Sequence, residues 1–235
     1  MISIIIPTLN EQNNILNTIK QFDNYKKKYN IEIIISDSKS IDSTVEISKK
    51  IADKVVVYDG LDKCNISKAR NFGAKFSSNE ILIFLDADIS ITKFDLFFNT
   101  IYNRFIDTNL VAVSPHITVN PNLENMMDKI VHSIILIISN TMNYLGFGYS
   151  RGGCQIVKKE YFNLIGGYNE NYVAGEDVDL FRRIRRYGET SILNNINVFE
   201  SPRRYRRLGY LNVLFLWFMN WLFIVLFKKT FSSSW

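Results

Sequence analysis

The stretch ILIFLDAD, Ile81 to Asp88, sets five apolar residues directly before two carboxylates, Asp86 and Asp88. A run this short and apolar, ended by acids, reads as an interior strand of a parallel sheet. Open α/β sheets bind their ligands at the carboxyl ends of such strands. On an extended segment alternate residues point the same way, so Asp86 and Asp88 can converge on one ion while Ala87 turns aside. Mg²⁺ or Mn²⁺ held by one or two carboxylates keeps positions open for substrate phosphates. The competing reading is a strand end with two solvated acids, and the rest of the chain decides against it.

Working outward, the pattern recurs. Ile2 to Ile6 reads as a buried strand ending at Pro7, Thr8 and Asn10, and Ile31 to Ile35 as another ending at Ser36 and Asp37. Between them Asn13 to Tyr29 reads as a helix. Asp42, Ser43 and Thr44 supply capping chemistry for a short helix through Ile51. Val55 to Tyr58 makes a third strand and Ser67 to Phe76 a third helix. This cadence predicts an α/β fold, a Rossmann-like and mostly parallel sheet with flanking helices. Three strands end in polar residues on one edge, where a nucleotide is expected.

With 235 residues, 47% of them hydrophobic and 22% charged, the chain can bury one full core. The net charge of +5 is unevenly placed, with clusters at Lys26 to Lys28, Arg182 to Arg186, and Arg203, Arg204, Arg206 and Arg207. Such clusters suit phosphates or an anionic membrane surface. No nucleic-acid-binding signature accompanies them, so nucleic acid is not an expected partner. Cys64 and Cys154 lack zinc spacing and read as buried reduced thiols of a cytosolic protein. The opening MISIIIP has neither a basic segment nor a long apolar stretch, which argues against a signal peptide.

The series IIIPTLNE (Ile4 to Glu11), SDSKSIDST (Ser36 to Thr44), KARNFGA (Lys68 to Ala74), FLDAD (Phe84 to Asp88) and GGYNENYVAGEDVDLFRRIRRYG (Gly166 to Gly188) resembles family 2 glycosyltransferases with the GT-A fold. By that resemblance Pro7, Thr8 and Glu11 would line the nucleoside pocket, Asp37 would bond the nucleobase, usually uracil, and Arg70 would face the base or diphosphate. Asp86 and Asp88 would hold Mg²⁺ or Mn²⁺ against the nucleotide-sugar. Glu176 and Asp177 match the family's ED pair, in which the Asp acts as catalytic base. Lys39 stands where the family commonly has Gly, and no QxxRW motif appears, which argues against processive polymer synthesis.

The residues around the ED pair agree with that role. Val178, Phe181 and Ile184 recur at helical spacing until Gly188, so both acids lie in the first turn of a helix. The helix dipole favours them there, and capping is the alternative reading. Glycosyl transfer to a hydroxyl needs a carboxylate to take the proton, and direct displacement inverts the anomeric configuration. Gly152 and Gly153 allow either close backbone approach to a ligand or a plain turn. His116 could contact acceptor or metal, or be structural. Tyr168 and Tyr172 could stack on a sugar or pack.

Leu211 to Phe227 is apolar apart from Asn212 and Asn220, includes Trp217 and Trp221, and lies between arginines and Lys228 with Lys229. It is slightly short for a spanning helix and best suits one lying in or dipping into the membrane interface, with a spanning helix and a helix packed on the domain or a partner as the alternative readings. A second apolar patch covers Ile130 to Ile138 and Tyr144 to Phe147. The resulting expectation is a glycosyltransferase domain over residues 1–207 and a membrane-associating helix and tail over 208–235. It would sit on the cytoplasmic face of a membrane and move one sugar, from a UDP-sugar above all, to a lipid-linked or membrane glycan acceptor. Arg203 and Arg204 would face the site, and Arg206 and Arg207 the lipid. The rival readings are a polyprenyl-phosphate glycosyl synthase, a non-catalytic module that binds sugar nucleotides, and a nucleotidyltransferase.

Overall fold

The computed structural model describes residues 1–106 and 108–232. Its strands are β1 (Ile2–Thr8), β2 (Ile31–Asp37), β3 (Lys54–Val57), β4 (Ile81–Leu85), β5 (Ser90–Ile91), β6 (Leu110–Val119), β7 (Cys154–Lys158) and β8 (Glu189–Glu200). They form one sheet in the order β3-β2-β1-β4-β7-β6-β8-β5. The neighbours β3, β2, β1 and β4 are all parallel, in the Rossmann-like half expected from the sequence. The other half is mixed: β7 runs antiparallel to both β4 and β6, while β6 and β8 are parallel.

Isoleucines at alternate positions of β1 reach both faces of the sheet. Ile2, Ile4 and Ile6 join Ile15, Ile19, Phe97, Phe98 and Ile101 in one core. Ile5 joins Leu82, Phe84, Tyr168, Leu180 and Phe181 in another. Burial on both sides is why β1, β2 and β4 read as unbroken apolar runs. Their parallel register brings the carboxyl ends together, with Thr8 beside Asp37.

The expected helix over Asn13 to Tyr29 is two shorter ones, α1 (Ile15–Lys20) and α2 (Lys26–Tyr29). After α1 the chain tightens, with Phe22 and Asp23 donating backbone N–H bonds to Ile19 and Lys20 three residues back. Gln21 binds the segment after β4, donating to Ile89 O (3.1 Å) and accepting from Ile91 N–H (2.9 Å), and Phe22 drops into the core. Asn17, Asp23 and Asn24 are weak helix formers that offer little resistance to this break. The next helices, α3 (Thr44–Lys49) and α4 (Ile66–Lys75), fall where the sequence puts them. Gly73 lets α4 approach the sheet closely, since a Cβ there would stand 2.6 Å from Ile5 Cγ2.

Beyond β4, α5 (Phe94–Phe105) covers one face, and α6 (Met126–Tyr144), α7 (Lys159–Leu164) and α8 (Glu176–Ile184) follow. The expected boundary at 207/208 falls inside α9 (Arg203–Leu208), which leads through Gly209 into α10 (Tyr210–Phe227). Ser233 to Trp235, at the end of the expected tail, lie outside the described residues.

Candidate active site

Arg70 stands at the centre of the site, delivered by α4. Asn65 caps that helix by accepting the Lys68 N–H (2.9 Å), and Ser36 Oγ ties it to β2 through Ala69 O (2.6 Å). The buried Arg70 guanidinium donates from Nη1 to Glu176 Oε1 and from Nη2 to Asp86 Oδ1, both at 2.8 Å. It lies 5.2 Å from the centre of the Tyr168 ring. Burial alone would lower its pKa, but Asp86, Tyr168 and Glu176 hold it raised. Arg70 thus joins the end of β4 to the start of α8, and pairs with the acids expected for metal and catalysis.

Asp86 and Asp88 do come together, through a turn rather than strand alternation: Ile89 N–H closes onto Asp86 O (3.1 Å), while Asp86 N–H donates to Gly153 O (2.8 Å). The Asp88 carboxyl is pushed up to about 6, first by burial and then by Asp86, with Arg203 opposing. Two carboxylates in mutual repulsion fit a cation. Among the described residues no group of three or more His, Cys, Asp or Glu forms a complete protein cage. An ion here would therefore draw its remaining ligands from water and diphosphate, as Mg²⁺ or Mn²⁺ does.

The helix α8 begins at Gly175, whose φ of +76° favours glycine. A Cβ there would meet Ile224 Cδ1 of α10 at 2.7 Å. Asp177 Oδ1 accepts from Val178 N–H (2.8 Å) and Oδ2 from Gly152 N–H. Burial raises the pKa of Asp177, opposed by the Val178 bond, Arg70 and the Gly152 bond. Glu176 is also raised, by burial and then by Asp177, with Arg70 opposing. The close approach of Gly152 and Gly153 is thus to the two acidic motifs.

A cavity of about 440 Å³ gathers Arg70, Asp86, Asp88, Glu176, Asp177 and Arg204 in its lining. Arg203 reaches Glu11 (3.0 Å) and Asp88 (3.4 Å). Pro7, Thr8 and Asp37 lie outside this lining. Asp37 is buried, accepting from Thr8 Oγ1 (2.8 Å), Ser40 N–H (2.8 Å) and Ser40 Oγ (2.6 Å). Tyr168 and Tyr172 are buried, and His116 pairs with Asn197 (3.1 Å). Cys154 is buried and Cys64 only half-buried, both free. Arg206, expected to face lipid, is exposed and also pairs with Asp128, the buried carboxylate that completes the capping box of α6.

A second polar cluster had no sequence pattern to announce it. Arg151 Nη2 donates to both Glu200 carboxylate oxygens (2.8 and 2.9 Å) and to Tyr205 OH (3.1 Å), beneath Trp217 at 5.0 Å. Arg151 Nη1 lies 3.0 Å from Nδ1 of the buried His132. Arg151 and Glu200 line the same cavity. A lone Arg before two glycines and a Glu at a strand end carry no periodic signal, and only tertiary contact pairs them.

Burial, aided by Arg151, lowers the His132 pKa from 6.5 to about 4. The folded state holds the neutral ring, so this stabilisation is fully present above pH 6.5 and is lost as pH falls towards 4. Its full size is about 3 kcal/mol. His132→Gln is expected to flatten this part of the pH–stability curve, measured by urea unfolding at pH 7 and 4.5. An equal loss in both proteins refutes the assignment.

In α10, Val213, Asn220 and Ile224 are buried while Leu211, Phe215, Phe218 and Phe227 are exposed. The chain then doubles back: Asn220 Oδ1 accepts N–H bonds from Phe231 and Ser232, both at 3.0 Å.

The geometry has known counterparts. A mannosyltransferase from Pyrobaculum calidifontis, solved with GDP-Man and Mn²⁺, superposes with a TM-score of 0.66 at 19% identity, covering 89% of this chain and 61% of that one. The sheet with its flanking helices is therefore the GT-A fold. A 4,4'-diaponeurosporenoate glycosyltransferase of Staphylococcus haemolyticus is 34% identical over 96 residues, 39% of this chain and 25% of that protein. A dolichol-phosphate mannosyltransferase of Pyrococcus furiosus is 32% identical over 90 residues, 37% of this chain and 26% of that protein. The matched region is thus about a quarter of the length of each of these two relatives. The model of glycosyl transferase family 2 matches residues 3–163, from β1 through β4 to α7, and the chain belongs to that family.

Proposed function

We propose that this protein is a metal-dependent, inverting glycosyltransferase that moves one sugar from a nucleotide-sugar to a membrane-associated, lipid-linked acceptor. The observation that carries the reading is the convergence of Asp86, Asp88, Glu176 and Asp177 on one cavity, with Arg70 bridging Asp86 and Glu176. Asp177 takes the proton as an acceptor hydroxyl attacks the anomeric carbon, and its raised pKa suits a base. Glu176 and Arg70 hold α8 against β4 so that Asp177 faces the donor. Asp86 and Asp88 would hold Mg²⁺ or Mn²⁺, which supplies positive charge against the departing diphosphate. Pro7, Thr8, Glu11 and Asp37 support the nucleoside side, and Arg203 and Arg204 the diphosphate.

Attachment is to the cytoplasmic membrane face, with α10 lying in the interface. The helix has a mean hydropathy of 1.9 and only 17% of it is buried. The return of Phe231 and Ser232 to Asn220 supports an in-plane helix, because a spanning one would carry that polar backbone into hydrocarbon. Arg207, Lys228 and Lys229 are exposed and suit anionic headgroups.

The test is nucleoside diphosphate release from UDP- and GDP-sugars, with extracted membrane lipids as acceptors and with Mn²⁺ or a chelator. Metal-dependent release is the expected result. Asp88→Ala is expected to abolish metal-dependent donor binding by calorimetry, since the cation loses a carboxylate. Unchanged metal-dependent affinity refutes the metal assignment, and pyrophosphate as product refutes glycosyl transfer.

A further inference from the structure

We propose that the apolar lining that α6 and α10 give the active-site cavity seats the hydrocarbon chain of an amphiphilic acceptor, admitted between those two helices. This rests on the transferase reading above and gives its acceptor a chemical class. The cavity lining combines the carboxylates Asp86, Asp88, Glu176 and Asp177 with the apolar side chains Ile135, Ile138 and Met142 of α6 and Leu214, Trp217 and Trp221 of α10. A nucleotide-sugar has no hydrocarbon to set against those apolar side chains. A polar head at Asp177 with an alkyl chain against α6 and α10 matches both kinds of lining at once.

The surroundings argue for entry from a lipid phase. Ile134 and Ile137 on α6, and Phe215, Phe218 and Leu226 on α10, are exposed apolar side chains on the two helices that wall the cavity. Arg207 before α10 and Lys228 and Lys229 after it are exposed cations placed to meet headgroups. The helices themselves are held together. Val131 and Ile135 pack with Tyr205 and Val213, and Arg206 ties α9 to the start of α6. The cavity thus sits between two fixed helices, and its volume of about 440 Å³ lies within the range of about 300–1,000 Å³ of small-molecule sites.

Each methylene buried in such a site raises affinity about fourfold. The probes are butyl and octyl β-glucoside, titrated calorimetrically into the full chain below the octyl glucoside's micelle concentration. Octyl glucoside is expected to bind once per chain and more than 100-fold tighter than butyl glucoside. Met142→Phe, which intrudes on the cavity, is expected to lower the octyl-to-butyl affinity ratio at least tenfold, and so is Ile138→Phe at a half-exposed position. Phe215→Gln on the outer face of α10 is expected to leave that ratio unchanged. Equal affinity for both probes, binding of many copies, or sensitivity to Phe215→Gln but not to Met142→Phe or Ile138→Phe overturns the proposal. Chain binding with no nucleoside diphosphate release from any donor overturns the transferase reading instead; release without selective chain binding overturns only this one.

Discussion

Arg70→Met is expected to lower the unfolding free energy by about 3–5 kcal/mol, because removing one partner of a buried ion pair leaves the other charge uncompensated. The stranded group is Glu176, whose side chain is only 8% exposed, while Asp86 at 34% can recover water. Methionine keeps much of the volume, so the loss is electrostatic rather than a cavity effect. Arg70 opposes the rise in the Glu176 pKa, so its removal carries the folded value still further above the ordinary 4.5. A carboxyl with a raised folded pKa contributes stability below its unfolded pKa and loses it as pH climbs through the folded value. The variant's deficit is therefore larger at pH 8 than at pH 5. Denaturant unfolding at both values checks this, and a deficit under 1 kcal/mol, or one that grows on acidification, refutes the bridging role.

Asp177→Asn is expected to lower kcat by about 10²- to 10⁴-fold while leaving donor affinity nearly intact, because the amide cannot accept the acceptor proton. The substitution also turns an NH₂ towards Gly152 N–H or Val178 N–H, costing about 1 kcal/mol of stability. Thermal unfolding separates that loss from the catalytic one. A weakened donor with normal turnover contradicts the base assignment. Retention of most activity favours a phosphate acceptor, which is already ionised and needs no base. Polyprenyl phosphate would be such an acceptor.

Local periodicity made half of this molecule legible. The strand at Ile81–Leu85 and the helix at Ile66–Lys75 stand where the apolar run and the turn residues put them, and the acids at 176 and 177 open a helix as their spacing implied. What escaped the sequence was decided by side chains reaching across it. Gln21 leaves its own helix to bind the segment after β4, so one expected helix becomes two. β7 runs antiparallel between β4 and β6, and its apolar run reads no differently from theirs. The pairing of Arg206 with Asp128, 78 residues away, leaves no mark in the local sequence. Arg151 and Glu200, 49 residues apart, pair in the lining with no motif to join them.

The bridge made by Arg70 bears on how the protein is made. Its acceptors lie 16 and 106 residues further along the chain. A ribosome therefore releases Arg70 and Asp86 well before Glu176 exists, and the parallel half can form with one arm of the guanidinium unanswered. The link between β4 and α8 is then among the last features to be acquired, closed by a contact of long sequence separation that is slow to form. A nascent chain stalled before α8 carries β1 to β4 and Arg70 but neither Glu176 nor Asp177, so on the proposed reading it lacks the base that the transfer needs.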